Sequence, residues 1–172
     1  RGHHLAAKQE VFQHDLVMAD SHYVKQIFDS IMDNAVRYTP DGGELVFAVR
    51  EVPIEDSSRA CFELHFKDNG YGMSQEFCKH LCDPFTRVQD YRVAQERGIG
   101  LGMVIVKKLV QKMGGTIDIK SEVDVGTTIV VTLFFAVKEE EEETKKEDAG
   151  MYGSAYEPAA ITSFEDKKIL LY

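Results

Sequence analysis

Asp68-Asn69-Gly70-Tyr71-Gly72-Met73 is the stretch on which the fold turns. Its carboxylate ends an alternating segment, Phe62, Leu64 and Phe66 against Glu63, His65 and Lys67, which reads as a strand with one apolar face. Two glycines, one residue apart, follow at once. A lone glycine pair marks a turn, and that reading suffices for Gly42-Gly43 and Gly114-Gly115. Here a second cluster, Gly98-Ile99-Gly100-Leu101-Gly102, lies downstream, and an asparagine-bearing helix over residues 21–37 lies upstream. The order and chemistry of the three segments read as a nucleotide site.

In the upstream helix, Val24, Ile27, Phe28, Ile31, Met32 and Ala35 recur at three- and four-residue steps and build one apolar stripe. At 100° per residue, Ser30, Asn34 and Arg37 fall along one edge of that stripe, where a pocket is naturally bordered. Before the helix, residues 5–18 give weak extended signals, ended by Asp20 and Ser21, both good N-caps. After it, Thr39-Pro40-Asp41-Gly42-Gly43 stops the helix and Leu45, Phe47 and Val49 alternate as a strand. Ser74 caps a short helix to about Leu81, broken by Asp83-Pro84, and residues 86–97 are polar without a period. Residues 103–113 form an apolar-rich helix that Gly114 and Gly115 terminate, and residues 116–121 with 127–137 suit a hairpin turning at 124–126. The expected architecture is an α/β (α+β) two-layer sandwich, a mixed, largely antiparallel sheet with about three helices on one face.

With 172 residues, 44% of them hydrophobic, the chain suits one globular domain over residues 1–137 with a remainder. Residues 138–148 carry seven acids and three lysines, so this run supplies −4 of the formal −9 and reads, with the polar stretch to 165, as a solvated linker. No basic face emerges, which disfavours a nucleic-acid partner. Cys61, Cys78 and Cys82 are odd in number and suit a reducing cytoplasm. Cys78 and Cys82 with His80 between them read as helix packing in preference to zinc. No run of about twenty apolar residues occurs, so no membrane insertion is expected of these residues. Opening on Arg1, the chain reads as an excised fragment.

In order and content these segments resemble the GHKL ATPases, and within them the catalytic ATP-binding domain of sensor histidine kinases. Residues 27–40 resemble the N box, 68–73 the G1 box, Pro84-Phe85 the F box, 98–102 the G2 box, and Gly126-Thr127-Thr128 the threonine-bearing segment near the end. Five boxes in order, over roughly residues 5–137, are specific in a way no single glycine motif is. The resemblance implies the Bergerat fold, ATP and Mg²⁺ as ligands, and a lid over residues 85–97 that carries Arg87, Arg92 and Arg97 and is packed at its base by Phe85.

The residues suit those roles. Asp68 can accept a hydrogen bond from the exocyclic amine of adenine, and Gly70 and Gly72, with Met73 after them, would let the backbone approach a flat ring. Asn34 offers a neutral oxygen for a hard cation, and the resemblance makes it the Mg²⁺ ligand. The resemblance sets Arg37 against phosphate and Tyr38 against the nucleotide, an exposed helix end being the alternative for both. Gly98, Gly100, Leu101 and Gly102 open the helix whose N–H groups face the phosphates. In the family a threonine near the carboxylate holds adenine through water, and Thr128 or Thr127 is the candidate, with Thr128 preferred.

Ser30 stands where many histidine kinases carry a further asparagine, and where hydrolysing members of the family carry a glutamate. No phosphoacceptor context surrounds His3, His4, His14 or His22, so the acceptor histidine belongs to a dimerising helical domain upstream. Lys167-Lys168-Ile169-Leu170-Leu171 resembles the first strand of a receiver domain, with a tail packing on the same domain as the alternative. The reading is thus the ATP-binding domain of a bacterial, cytoplasmic sensor kinase module, homodimeric in its full form and serving a response regulator or fused receiver. Alternatives are a non-kinase GHKL ATPase or a degenerate nucleotide-binding and docking module.

Overall fold

The computed structural model describes residues 2–10, 12–14, 16–86 and 100–137. Along them run β1 (His4–Gln9), β2 (Val17–Met18), α1 (Ser21–Tyr38), β3 (Glu44–Val52), β4 (Arg59–Asp68), α2 (Gln75–His80), α3 (Gly102–Lys112), β5 (Thr116–Glu122) and β6 (Gly126–Val137). The element order matches the expectation, and the weak extended signals before α1 resolve into two short strands. In the sheet β1, β3, β4, β6 and β2 lie side by side, with β5 also on β6. β1 runs parallel to β3, and the other pairings are antiparallel. A parallel pair needs a long crossover, and α1 lies within it.

The apolar periods of the sequence meet in one core. Ile27 and Ile31 of α1 pack with Met103, Val106 and Val110 of α3 over Leu64 and Phe66 of β4 and Ile129, Val131 and Leu133 of β6. Phe47 joins from β3, the neighbour of β4, its ring 5.0 Å from those of Phe28 and Phe66. Because strand side chains alternate, a one-residue slip of β4 or β6 would turn this entire set to solvent, so the register is strongly fixed.

Helix ends are set by local chemistry. Asp20 Oδ1 accepts from the amides of His22 and Tyr23 at 3.0 and 3.2 Å and starts α1. Ser74 Oγ accepts from Phe77 N at 3.2 Å and starts α2. Gly114, at φ 69, ends α3, with its own N–H on Gln111 O and that of Gly115 on Val110 O.

A second core lies at the far end of the sheet, where Phe12 and Val17 cover Ala60 and Phe62. Glu51 holds this cover in place. Its side chain is 4% exposed and accepts the amides of Gln13 and His14 at 2.6 and 3.1 Å, and also pairs with His14 Nδ1. Burial pushes its carboxyl upward, but the His14 and Gln13 hydrogen bonds outweigh that and leave it below the ordinary 4.5. Its contribution is therefore present above pH 4.5 and lost as pH falls through the lowered folded value. Replacing Glu51 by Ala strands three donors, so we expect a loss of about 2–3 kcal/mol in urea unfolding at pH 7. The variant should also lose this part of the native acid-induced fall in stability.

Candidate nucleotide site

The C-terminal half of α1, the end of β4, the head of α3 and the start of β6 frame an open cleft of about 450 Å³. Asn34, Arg37, Tyr38, Asp68, Gly72, Met73, Gly100, Leu101 and Gly102 line it, joined by Ser30 and Thr127. Ile27, Ile31 and Ala35 are buried, whereas Ser30, Asn34 and Arg37 are half-buried, so the polar edge of α1 does border the opening. α3 starts at Gly102 with Leu101 as an N-cap that makes no side-chain cap bond, and both residues line the cleft.

Asp68 shares the inward face of Phe62, Leu64 and Phe66, one step beyond the apolar run. Its Oδ1 accepts the Gly70 and Thr127 amides at 2.9 and 3.2 Å. Its Oδ2 takes no hydrogen bond among the described residues and is not a buried orphan, so a strong acceptor stands ready for a ligand. Burial raises the carboxyl above its ordinary 3.8, and the two amides offset part of that rise. Asn69 does not turn a hairpin. It exchanges bonds with Glu44, Asn69 Oδ1 accepting from Glu44 N at 2.8 Å and Asn69 N donating to Glu44 O at 3.2 Å, which ties the segment to β3.

Several expectations change. A Cβ on Gly70 would lie 2.4 Å from Tyr38 O, and one on Gly72 would lie 1.8 Å from Glu122 O, so both glycines make room for the protein's own backbone rather than for a ring. Gly70 is buried behind the cleft and does not line it. Thr128 is also displaced. On β6 the inward set is Ile129, Val131 and Leu133, which carries Thr127 into the cleft and leaves Thr128 on the opposite parity, off its wall. Phe85 packs no base: Thr86 N bonds Asp83 O at 3.3 Å across Pro84, and Phe85 at φ 64 takes the place a type II turn reserves for glycine. That turn throws the ring outward, 73% exposed. Gly98 and residues 87–97 of the expected lid lie outside the described residues.

Ser121 is absent from the sequence reading and Thr127 stands there only as the second choice, although the parity of both was available. Thr127 follows from the alternation of β6, and Ser121 from that of Ile117 and Ile119 on β5. Ser121 is buried and accepts Met73 N at 2.8 Å. Elsewhere, Cys82 packs on the main core and His80 Nδ1 pairs with Asp83 at 2.8 Å. Burial raises both the Cys78 and Cys82 thiols. Among the described residues no helix is long and apolar enough to cross a membrane.

Residues 19–137 match the profile of the histidine kinase-, DNA gyrase B- and HSP90-like ATPases. The chain belongs to that family. Its architecture is accordingly the Bergerat sandwich, and the domain is of the ATP-binding kind that defines these ATPases. Among curated relatives, the sensor protein SrrB of Staphylococcus aureus is 34% identical over 126 residues, which is 73% of this chain and 20% of that protein. The chain thus spans about a fifth of the length of that relative. Among solved structures, a mycobacterial sensor histidine kinase, MprB, superposes at a TM-score of 0.64 with 23% identity over 79% of this chain and 86% of that one. Full-length ShkA in complex with AMPPNP does so at 0.60 with 24% identity, over 80% and 26% respectively. These two likenesses carry the fold; the profile carries the family.

Proposed function

We propose that this domain holds Mg-ATP in the cleft and presents its γ-phosphate to a histidine on a separate dimerising helical domain. What carries the reading is that Asn34, Asp68 and the start of α3 line one cleft. Asp68 takes the adenine amine, Tyr38 and Arg37 lie on the side of α1 that borders the nucleotide, and Gly100, Leu101 and Gly102 receive phosphate at a helix start. Among the described residues no cluster of three or more His, Cys, Asp or Glu stands ready for a metal, so the ion would rest on Asn34, phosphate oxygens and water. That donor set suits Mg²⁺, which keeps several waters; when bound, it supplies neutralisation of phosphate charge. The domain's own part is to orient the nucleotide, since phosphoryl transfer is mostly positioning and electrostatics. Ser30, bearing no carboxylate, has no means of activating water as a general base, which favours transfer over hydrolysis.

In the full protein this module would be cytoplasmic and bacterial, joined upstream to the acceptor domain as a homodimer. Residues 138–165 would form a linker, and 166–172 the first strand of a receiver domain or a C-terminal tail of this one, with a response regulator or that fused receiver as the partner served.

The test is transfer of labelled γ-phosphate from ATP to a supplied acceptor-helix domain. Label should appear on the acceptor with Mg²⁺ present. Brisk hydrolysis by the chain alone, with no transfer, would sink the proposal in favour of a hydrolysing ATPase. In calorimetry, Asn34→Ala should weaken Mg-ATP binding by at least about 10-fold, the loss that even an outer-shell group of a metal site produces. Binding of ATP without Mg²⁺ should change far less.

A further inference from the structure

Behind Thr127, on the side away from the cleft, stands a serine hydroxyl that the nucleotide reading does not use. Ser121, near the end of β5, is 6% exposed. Its Oγ accepts the Met73 amide at 2.8 Å, lies 3.0 Å from the Gly126 carbonyl oxygen and 2.9 Å from Thr127 Oγ1. A serine hydroxyl has one proton and two acceptor lone pairs. The Gly126 oxygen can only accept, so the 3.0 Å contact needs the Ser121 proton; otherwise two sets of lone pairs would face each other in a buried place. The Met73 N–H fills one lone pair of Ser121. What remains for Thr127 is the second lone pair, and so the Thr127 O–H donates to Ser121. Thr127 has then committed its single proton to the wall. Toward the cleft it offers lone pairs alone, beside Asp68 Oδ2, which also only accepts.

We propose that Ser121 is a positioning residue for base selection: it turns the Thr127 proton away from the cleft, so that the Thr127 and Asp68 wall accepts from a purine 6-amino group and rejects a 6-oxo group. The inference deepens the ATP reading and rests on it. Selection holds whether the contact is direct or through one water. A water that gives both protons to Asp68 and Thr127 has only lone pairs left, so it accepts from an amine and repels a carbonyl oxygen. Once Ser121 no longer accepts from Thr127, the threonine hydroxyl can turn and donate to a 6-oxo group or to the water that serves it. Loss of this one residue should then blur the choice of base without touching any group that faces the ligand.

The experiment is calorimetric titration of ADP and inosine diphosphate, which differ at the 6-position and in the proton that inosine carries on N1, into the native chain, Ser121→Ala, Ser121→Cys and Thr127→Val. The native chain should prefer ADP strongly. In Ser121→Ala the ADP to inosine diphosphate affinity ratio should fall about tenfold, the scale of one hydrogen bond. Ser121→Cys is nearly isosteric and its sulfur accepts weakly, so it should shift the ratio the same way even where the alanine variant folds poorly. Adding Ser121→Ala to Thr127→Val should leave the ratio where Thr127→Val alone puts it. A merely structural Ser121 would weaken both nucleotides in proportion, and an unchanged ratio in the Ala and Cys variants overturns the inference. A native chain that does not separate the two nucleotides overturns the adenine assignment beneath it.

Discussion

Asp68→Asn should bind ATP about 30- to 150-fold more weakly than the native domain, the range set by the ~2–3 kcal/mol of a hydrogen bond to a charged group, while its melting temperature at pH 7 stays level or rises. The two halves of this outcome have one cause. Asn Oδ1 can keep the Gly70 and Thr127 amides, so the end of β4 loses no internal bond. The amide NH₂, however, replaces the accepting Oδ2 with a donor, which faces the donor amine of adenine. For the fold, the native carboxyl sits above its ordinary 3.8 because burial disfavours its charge. A raised folded value means the native state holds the proton more tightly than the unfolded chain. The contribution to stability is thus present at low pH and lost as pH rises through the raised value, so at neutral pH the charge works against the fold. The asparagine removes that penalty. Native nucleotide affinity should also fall as acid protonates Asp68, at a higher pH than an ordinary aspartate would give, and the asparagine variant should lack that dependence. Calorimetry across pH, with thermal melts, checks both halves, and equal ATP affinity in the variant overturns the adenine role.

The same carboxylate shows how much was legible in the sequence. Local periodicity carried most of the fold, because the 3.6-residue stripe of α1 and the two-residue alternation of β4 and β6 are imposed by burial on one face. It also brought Asn34, Asp68 and Gly100–Gly102 to a single cleft. What failed was finer: a parity, a turn conformation and a partner distant in sequence. The choice between Thr127 and Thr128 rests on the inward parity of Ile129, Val131 and Leu133, which sets Thr127 on the cleft. The outward ring of Phe85 follows from a turn conformation that its sequence disfavours, since a bulky residue at φ 64 is uncommon. Glu51 reads as one more polar residue on an alternating strand, and only the return of His14 over the sheet end gives it three donors. Glycines gave a true position with a false reason: the pattern marks where a Cβ cannot go, but not which neighbour forbids it.

Gly72 turns that last point into a large expected effect. Gly72→Ala should destabilise the domain by more than ~3 kcal/mol, and Gly42→Ala by only about 1 kcal/mol, in parallel urea titrations. Both glycines have left-handed backbones, φ 61 at Gly72 and φ 80 at Gly42, so both alanines incur similar conformational strain. They differ in surroundings. Nothing lies within 4 Å of a Cβ on Gly42, whereas one on Gly72 would sit 1.8 Å from the Glu122 carbonyl oxygen and 2.7 Å from its carbon. That neighbour is backbone and has no rotamer to change. It is held at the turn between β5 and β6, where Val125 N bonds Glu122 O at 3.2 Å and Asp124 N bonds Tyr71 O at 2.8 Å. Relief therefore requires the turn and the segment after Asp68 to part, which breaks the Asp124 to Tyr71 bond and pulls Met73 N from Ser121. Nucleotide affinity should fall with stability, because Thr127 and Asp68 sit on the two sides of that seam. Equal losses at the two glycines would mean that strain alone governs Gly72, and that the seam does not hold the cleft's wall together.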